Sequence, residues 1–398
     1  MKHLRRAASP AAAPASAGSA ILSMVGLGVL LTGVATALSV RIAGVARRVV
    51  TPAPRVADVE ILGIDRAAQT ITLTRTPDTV LPGRYGIFTN GAGYVKLGAV
   101  LAQDDAGVTR KLLSHIDAAT RVGPHGSFSG WYYDEPAQLH LPHHEELIET
   151  PVGLAPAWVF SAGRGDVWAV LVHGRGTTRA ETLRAVPTLH AAGISTIVVS
   201  YRNDGEAPRS RSGLYGLGAT EWRDVDAAIE WARGRGAARI LLMGWSMGGA
   251  IVLQTAVRSA HRDLIDGLIL ESPVVDWRIV LDYHARELGV PAFAARAAME
   301  TLESPWTARA ARAGRGVPFD ELDMVARAGE LTVPILLLHS DDDGFVPSDA
   351  SHALAAARPD LVTMEVFSVA RHTKLWNYDE RRWTTAISDW LRERGFSR

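Results

Sequence analysis

The distribution of apolar residues divides the chain into three regions with different patterns. Residues 1–50 contain a run of 22 residues without a charge, residues 19–40, with basic residues on both sides. Residues 51–150 contain short segments in which apolar and polar residues alternate with period two, as in half-buried strands. Residues 151–398 contain continuous apolar runs between helical stretches, which is typical of a mostly parallel sheet with helices on both faces.

The uncharged run is long enough to cross a membrane. A helix over residues 19–40 would cover the roughly 30 Å hydrocarbon core of a bilayer. We therefore predict a single-pass anchor in the cell membrane. A cleaved signal peptide is the alternative, because Ala35-Thr36-Ala37 resembles an A-x-A cleavage site, and the protein would then be secreted. Basic residues lie on both sides of the run, so the sequence leaves the side of the membrane open.

The second region is predicted to be a small β-rich region that ends near residue 150. It shows turn signals between its apolar segments. The predicted strands are Ile71–Thr74, Tyr85–Thr89, Tyr94–Leu101 and Val108–Leu113. His140, His143 and His144 lack partner acids in a clear pattern, so we interpret them as part of a solvated loop rather than as a metal site.

The third region alternates between predicted strands and helices. The strands are Val167–Val172, Ile194–Ser200, Ile240–Met243, Leu264–Leu270, Pro334–His339 and Thr363–Phe367. The helices are Arg179–Ala191, Thr220–Arg233, Met247–Ser259, Ser348–Ala357 and Asp379–Arg394. The interval over residues 275–331 is too long for a simple crossover, so we predict a helical insertion that forms a cap over a site.

Composition narrows the function classes. The 398 residues carry 42 Lys+Arg and 42 Asp+Glu, and this balance argues against a nucleic-acid-binding protein. The chain has no cysteine, which excludes disulfides, cysteine-based metal sites and a thiol nucleophile. The absence of cysteine does not indicate whether the protein works in an oxidising or a reducing compartment.

The strongest catalytic motif is Gly244-Trp245-Ser246-Met247-Gly248, a G-x-S-x-G sequence. It follows a predicted strand and opens a predicted helix, which is the setting that a nucleophile elbow requires. Ser246 is therefore the candidate nucleophile. The helix behind it would place backbone N–H groups, including that of Met247, where an oxyanion forms.

From about residue 157 onward, the chain resembles α/β-hydrolases of the serine aminopeptidase and prolyl-oligopeptidase-like type. His173-Gly174-Arg175 follows a predicted strand and is similar to the oxyanion loop of that family. The resemblance implies that the Arg175 and Met247 amides hold the oxyanion. A turn with no donor role is the alternative for Arg175, whose side chain would separately suit an anionic substrate group.

The resemblance also supplies an acid and a base. The run from His339 to Pro347 is similar to the family's acid loop, although Ser340 replaces the usual glycine. Counting along that loop assigns the catalytic acid to Asp343, with Asp341 and Asp342 as alternatives.

The candidate general base is His372, which follows the last predicted strand. Arg371 stands where the family usually has a glycine. His339 and His352 are the less favoured histidines. Ser246, Asp343 and His372 occur in the chain order of this fold.

The expected activity is hydrolysis of a carboxylic ester or thioester through an acyl-enzyme, rather than of a peptide, and without a metal or organic cofactor. A peptidase would need a site for a substrate amine, for which Glu271, Asp276 and Asp282 are candidates. An acyltransferase of the same fold is a further alternative. A non-catalytic, membrane-tethered binding protein is the alternative from another class. Trp245 and Trp306 are candidates to line an apolar substrate cavity.

Overall fold

The computed structural model describes residues 43–397, apart from residues 45, 53, 54, 92 and 164. The predicted membrane segment, residues 19–40, lies outside these residues. Within the part that is described, no helix is both long enough and apolar enough to cross a bilayer.

The predicted β-rich region forms a closed six-stranded barrel over residues 59–129. Its strands follow in space the order β1-β2-β5-β4-β3-β6, and each neighbouring pair is antiparallel. Closure pairs the first strand with the last, so no edge of this sheet is left open. The strands are β1 (Val59–Asp65), β2 (Thr70–Thr74), β3 (Tyr85–Thr89), β4 (Gly93–Gln103), β5 (Gly107–Leu112) and β6 (His125–Ser129).

The chain after the barrel is built on an eight-stranded sheet with the order β14-β13-β12-β11-β9-β10-β8-β7. The six strands from β14 to β10 are parallel, and β8 and β7 add an antiparallel hairpin at one edge. The strands are β7 (His143–Thr150), β8 (Gly153–Phe160), β9 (Val167–Val172), β10 (Ser195–Val199), β11 (Arg239–Trp245), β12 (Ile265–Glu271), β13 (Ile335–Ser340) and β14 (Val362–Phe367).

Helices cover both faces of this sheet, and each face has its own apolar core. The α-helices are α1 (Val186–Ala191), α2 (Trp222–Arg233), α3 (Met247–Arg258), α4 (Trp277–Glu287), α5 (Ala292–Glu303), α6 (Pro305–Ala310), α7 (Phe319–Leu322), α8 (Asp349–Ala357), α9 (Leu375–Tyr378) and α10 (Glu380–Glu393). Helices α4 to α7 form the insertion between β12 and β13, as predicted for the cap.

The β7–β8 hairpin differs from two expectations. The predicted boundary near residue 150 is the tight turn of this hairpin, where Thr150 pairs with Gly153. The barrel ends earlier, at Ser129, and both hairpin strands belong to the large sheet. His143 and His144 lie in β7, not in a loop, and their side chains are exposed because β7 is an edge strand. Glu149 and Pro151 give this turn the composition of a linker, although the backbone on both sides of it belongs to paired strands.

Candidate active site

Ser246 sits on a strained turn between β11 and α3. Its backbone has φ 53° and ψ −118°, a conformation that a residue with a side chain rarely adopts. Two glycines make the turn possible. A Cβ on Gly244 would lie 2.4 Å from the carbonyl oxygen of Gly248, and a Cβ on Gly248 would lie 2.1 Å from that of Val172. The turn presents the Ser246 side chain at the carboxyl end of the sheet.

The structure brings Ser246, His372 and Asp343 together from three separate loops. His372 Nε2 lies 3.0 Å from Ser246 Oγ, and His372 Nδ1 lies 2.9 Å from Asp343 Oδ2. An ionised carboxylate only accepts hydrogen bonds, so Nδ1 carries the proton and Nε2 is free to accept one from the serine. The backbone N–H of His372 also donates to the carbonyl of Asp343, at 3.0 Å.

Asp343 is held in its ionised form. Burial alone would raise its pKa, but the charge of His372 and hydrogen bonds from His339 and His372 hold the pKa well below its usual range. The N–H groups of Phe345 and Val346 donate to Asp343 Oδ1 at 3.0 and 2.7 Å. The carboxylate is therefore fixed in position and in charge.

The other two aspartates of the acid loop point to different partners. Asp341 accepts hydrogen bonds at 2.8 Å from Ser348 and from His352. Asp342 forms an ion pair with Arg371, at 3.0 Å. Arg371, which replaces the family's usual glycine, therefore binds the acid loop beside the histidine.

The two candidate oxyanion donors belong to the elements that adjoin Ser246. Met247 is the first residue of α3, and the first N–H groups of a helix lack acceptors within it. Gly174 passes so close that a Cβ there would lie 3.2 Å from Ser246 Cβ. Arg175 follows Gly174 directly, and its side chain donates to the carbonyls of Arg48 and Thr51 at 2.7 and 2.9 Å. That side chain is thus engaged by backbone, contrary to the expectation that it suits an anionic substrate group.

A family model described as the alpha/beta hydrolase family matches residues 169–386. The chain belongs to the alpha/beta hydrolase family. A second model, of a domain of unknown function, matches residues 60–129, which make up almost the whole barrel. No curated protein matches the sequence.

Solved structures of esterases resemble this chain over 63% to 65% of its length. The Pyrococcus furiosus esterase Pf2001 is 16% identical, with a TM-score of 0.51 over 65% of this chain and 93% of that one. A thermophilic esterase from Thermogutta terrifontis is 22% identical, with a TM-score of 0.46 over 63% of this chain and 99% of that one. At such identity, the first likeness shows a shared fold.

A large cavity of this hydrolase opens beside Ser246. Its volume is about 940 Å³, and its lining is mostly apolar. Cap helices α4 and α5 and the loop that joins them supply most of the lining residues, and Phe345 and Val346 of the acid loop supply another part. His284 is one of its few polar lining groups, and burial lowers the pKa of this imidazole. The cavity size is near the upper end of the range for small-molecule sites.

The barrel contacts the segment that follows His372. Asn377 Nδ2 donates to the carbonyl of Arg84 at 2.7 Å, and Lys374 forms a 3.0 Å ion pair with Asp78. Gly130 lies so close to this segment that a Cβ there would be 2.7 Å from the carbonyl oxygen of Thr373. These contacts fix the position of the segment that begins at His372.

The candidate amine-binding acids are mostly engaged elsewhere. Glu271 is fully buried and accepts hydrogen bonds from the indoles of Trp245 and Trp383, at 2.8 and 2.9 Å. Asp276 caps the start of α4 by accepting from the Arg278 N–H at 2.8 Å. Asp282 is half-buried on α4.

The two tryptophans proposed for the cavity do not line it. Trp245 is fully buried, with its indole N–H bound to Glu271. Trp306 is exposed on the outer surface of the cap. Trp277 lines the cavity instead. Over the described residues, no group of three or more His, Asp or Glu side chains is placed to hold a metal ion.

Sequence reasoning missed two parts of the site. Gly44, Ala46, Arg48 and Val49 line the cavity although they follow the predicted anchor, and nothing in their sequence indicates a binding role. Asn377 joins the barrel to the His372 segment, but an asparagine at a helix carries no distinctive pattern.

Proposed function

We propose that this hydrolase cleaves carboxylic esters or thioesters through an acyl-enzyme on Ser246. The observation that carries the proposal is the hydrogen-bonded series from Ser246 Oγ to His372 to Asp343, with spacings of 3.0 and 2.9 Å. The same constellation recurs on unrelated folds because nucleophile, base and acid each need the next for activation.

The proposed chemistry has two steps. In the first, Ser246 Oγ bonds to the acyl carbon while His372 Nε2 takes its proton, and the imidazolium then protonates the departing alkoxide or thiolate. In the second, His372 Nε2 takes a proton from water, whose oxygen bonds to the acyl carbon. The bond from that carbon to Ser246 Oγ then breaks, and the imidazolium returns the proton to Ser246 Oγ. The Met247 and Arg175 amides stabilise the negative oxygen in both steps.

Esters are favoured over peptides by the surroundings of Ser246. A peptidase that reads a free amine needs an available carboxylate, but Glu271 is occupied by two indoles and Asp276 by a helix N-terminus. An apolar cavity suits an acyl chain better than a charged peptide terminus. Transfer to an alcohol instead of water remains an alternative outcome of the second step, and added alcohol would reveal it as an ester product.

We also propose that residues 19–40 anchor the hydrolase in a membrane. The barrel and the part of the chain built on the eight-stranded sheet, which we call the hydrolase region, would then be its two folded domains. The uncharged length of the segment supports the anchor. Its test is fractionation of cells that express the full chain. Recovery in the membrane fraction after an alkaline carbonate wash is expected, whereas release of a protein shortened near residue 37 would identify a cleaved signal peptide.

Turnover of a panel of esters by the full chain in detergent tests the proposed activity. Ser246→Ala is expected to lower kcat by about 10⁴- to 10⁶-fold while its unfolding transition persists. Ser259→Ala is the matched control, because Ser259 is also buried and lies at the opposite end of the same helix. Full activity of Ser246→Ala would refute the proposal, and a folded wild type without activity would favour the non-catalytic binding protein.

A further inference from the structure

The cavity beside Ser246 has walls from two distant parts of the chain. One wall comes from the cap and includes the small side chains of Ala294, Ala295 and Ala298, which leave room between α5 and the nucleophile. The opposite wall comes from the segment directly after the predicted anchor, where Gly44, Ala46, Arg48 and Val49 line the cavity. We refer to residues 44 and 46–51 as the N-terminal wall.

The N-terminal wall is fixed to the hydrolase core. Ala46 and Val50 are completely buried, and the Tyr215 N–H donates to the carbonyl of Val50 at 2.8 Å. Arg175 binds the carbonyls of Arg48 and Thr51 through one guanidinium nitrogen. Basic groups at the end of a helical turn satisfy carbonyls that have no partner within it. The oxyanion loop and the N-terminal wall are therefore connected by the side chain of Arg175.

The exposed lining residues mark where the cavity opens. Gly44 and Arg48 on the N-terminal wall and Leu288 on the cap are solvent-exposed, and Leu288 is 77% exposed. The predicted anchor ends at residue 40, four positions before Gly44. The cap also exposes Phe293 and Trp306, by 65% and 79%. The opening thus lies where the chain would leave a bilayer, beside apolar groups that suit the membrane interface.

We propose that the cavity binds one long acyl chain of a membrane lipid ester, and that the N-terminal wall forms one side of this binding site. This rests on the proposed esterase function and names its substrate class. The volume, the apolar lining and an opening beside the proposed anchor agree with one extended hydrocarbon chain, whereas a short acyl group would leave most of the 940 Å³ unfilled. Each further CH₂ group that the cavity removes from water adds to the binding of the chain.

The chain-length profile of the full-length enzyme in mixed micelles tests this proposal. We expect kcat/KM to rise at least 10-fold from a butyryl to a palmitoyl ester of the same alcohol. Ala298→Phe narrows the cap wall and should lower the palmitoyl-to-butyryl ratio at least 10-fold. Ala292→Phe adds the same side chain to an exposed position of the same helix, outside the cavity, and should leave the ratio as in the wild type.

The N-terminal wall is tested in the same way. Ala46→Phe should lower the palmitoyl-to-butyryl ratio, as Ala298→Phe does, because both side chains would enter the same cavity from opposite sides. Arg175→Met retains the backbone N–H but loses the link to the wall, so it should raise KM for the palmitoyl ester more than for the butyryl ester. Arg175→Lys should restore part of this loss.

Binding provides a readout that is independent of turnover. Ser246→Ala should bind a fluorescent long-chain fatty acid. Added palmitate should displace this probe, whereas added butyrate should not. Addition of Ala298→Phe or Ala46→Phe should weaken this binding at least 10-fold.

Three outcomes separate the proposals. A wild type that turns over butyryl esters but neither hydrolyses nor binds long chains overturns the lipid substrate and leaves the esterase function intact. A long-chain preference that Ala46→Phe does not change overturns the N-terminal wall. A folded wild type without turnover of any ester overturns the function on which the inference rests.

Discussion

Buried basic side chains have different hydrogen-bond partners in the barrel and in the hydrolase region. In the barrel, Arg110 is completely buried and donates only to backbone carbonyls, and burial lowers its pKa to about 10. Four carbonyls accept from it at 2.8 to 3.0 Å, those of Gly98, Thr79, Leu81 and Gly83. The guanidinium thus organises the loop over residues 79–83, which leads to the contact of Arg84 with Asn377.

In the hydrolase region, buried basic groups face carboxylates. Arg202 and Asp224 are 2.6 Å apart, and His173 and Asp204 are 3.1 Å apart. The same arrangement in the loops at the carboxyl edge of the sheet gives the pair of His372 and Asp343. A carboxylate stabilises an imidazolium, which carbonyls alone do much less well. The buried arginine of the barrel therefore holds loops together, whereas the buried basic groups of the hydrolase region are paired with carboxylates, which is the pairing that the proposed proton transfer at His372 requires.

Among the changes that test this comparison of buried charges, Asp343→Asn has the largest expected effect. An amide cannot hold the imidazole in the required tautomer, so kcat should fall about 10⁴-fold. Asp341→Asn and Asp342→Asn are matched controls in the same loop and should stay within a few-fold of the wild type. Steady-state ester hydrolysis measures all three. Equal losses at all three positions would mean that the loop as a whole, and not one carboxylate, supports activity.

The lowered pKa of Asp343 also predicts a pH dependence of stability. The pKa of Asp343 is lower in the folded protein than in the unfolded chain, where it is about 3.9. The ionised carboxylate therefore stabilises the fold at pH values above about 3.9, and this contribution is lost as the pH falls through the folded pKa. The difference in free energy of unfolding between wild type and Asp343→Asn should therefore be largest above about pH 4 and shrink below it. A difference that grows on acidification would contradict the assigned charge state.

The next effect concerns the barrel alone. Arg110→Met leaves four buried carbonyls without their donor, and each such loss costs about 1–3 kcal/mol, partly offset because no charge is then buried. We expect a net loss of about 2–4 kcal/mol in chemical denaturation. Arg66→Met is the control, since Arg66 is exposed and binds two carbonyls of the same barrel. A stability equal to that of wild type would show that Arg110 is not structural.

A smaller effect is expected where the two regions meet. Asn377→Ala removes the hydrogen bond to the Arg84 carbonyl and the acceptor for Arg184, at 2.7 and 3.0 Å. The segment after His372 should then lose alignment, with kcat lower by about 10-fold and KM little changed. A change in KM alone would mean that the contact shapes the cavity instead.

The smallest effect is the coupling between Asp78 and Lys374. The ion pair is 3.0 Å long and partly exposed, so a double-mutant cycle with Asp78→Asn and Lys374→Met should give about 0.5–1 kcal/mol. Measured on the free energy of unfolding, the coupling should decrease at high salt. A salt-independent coupling would indicate a contact that is not electrostatic.

Local sequence predicted much of the hydrolase region, because its strands are continuous apolar runs. β9 has the predicted bounds, Val167–Val172, and β3 also matches, at Tyr85–Thr89. The motif around Ser246 was equally readable, because only glycine fits beside such a turn. Each of these features depends on residues that are neighbours in the chain.

The features that were missed depend on distant contacts. Barrel closure pairs β1 with β6, and β1 has an irregular burial pattern that does not alternate cleanly. The N-terminal wall depends on the guanidinium of Arg175, more than 120 residues away. The turn at 150–153 resembled a domain boundary because proline marks turns and linkers alike.

Covalent labelling tests the central claim most directly. The full chain is treated with a fluorophosphonate, digested, and examined by mass spectrometry for the modified residue. We predict one adduct on the peptide that contains Ser246, absent from Ser246→Ala and formed more than 100-fold more slowly in His372→Ala. An adduct on another residue, or an undiminished rate without His372, would contradict the assignment of Ser246 as a serine activated by that imidazole.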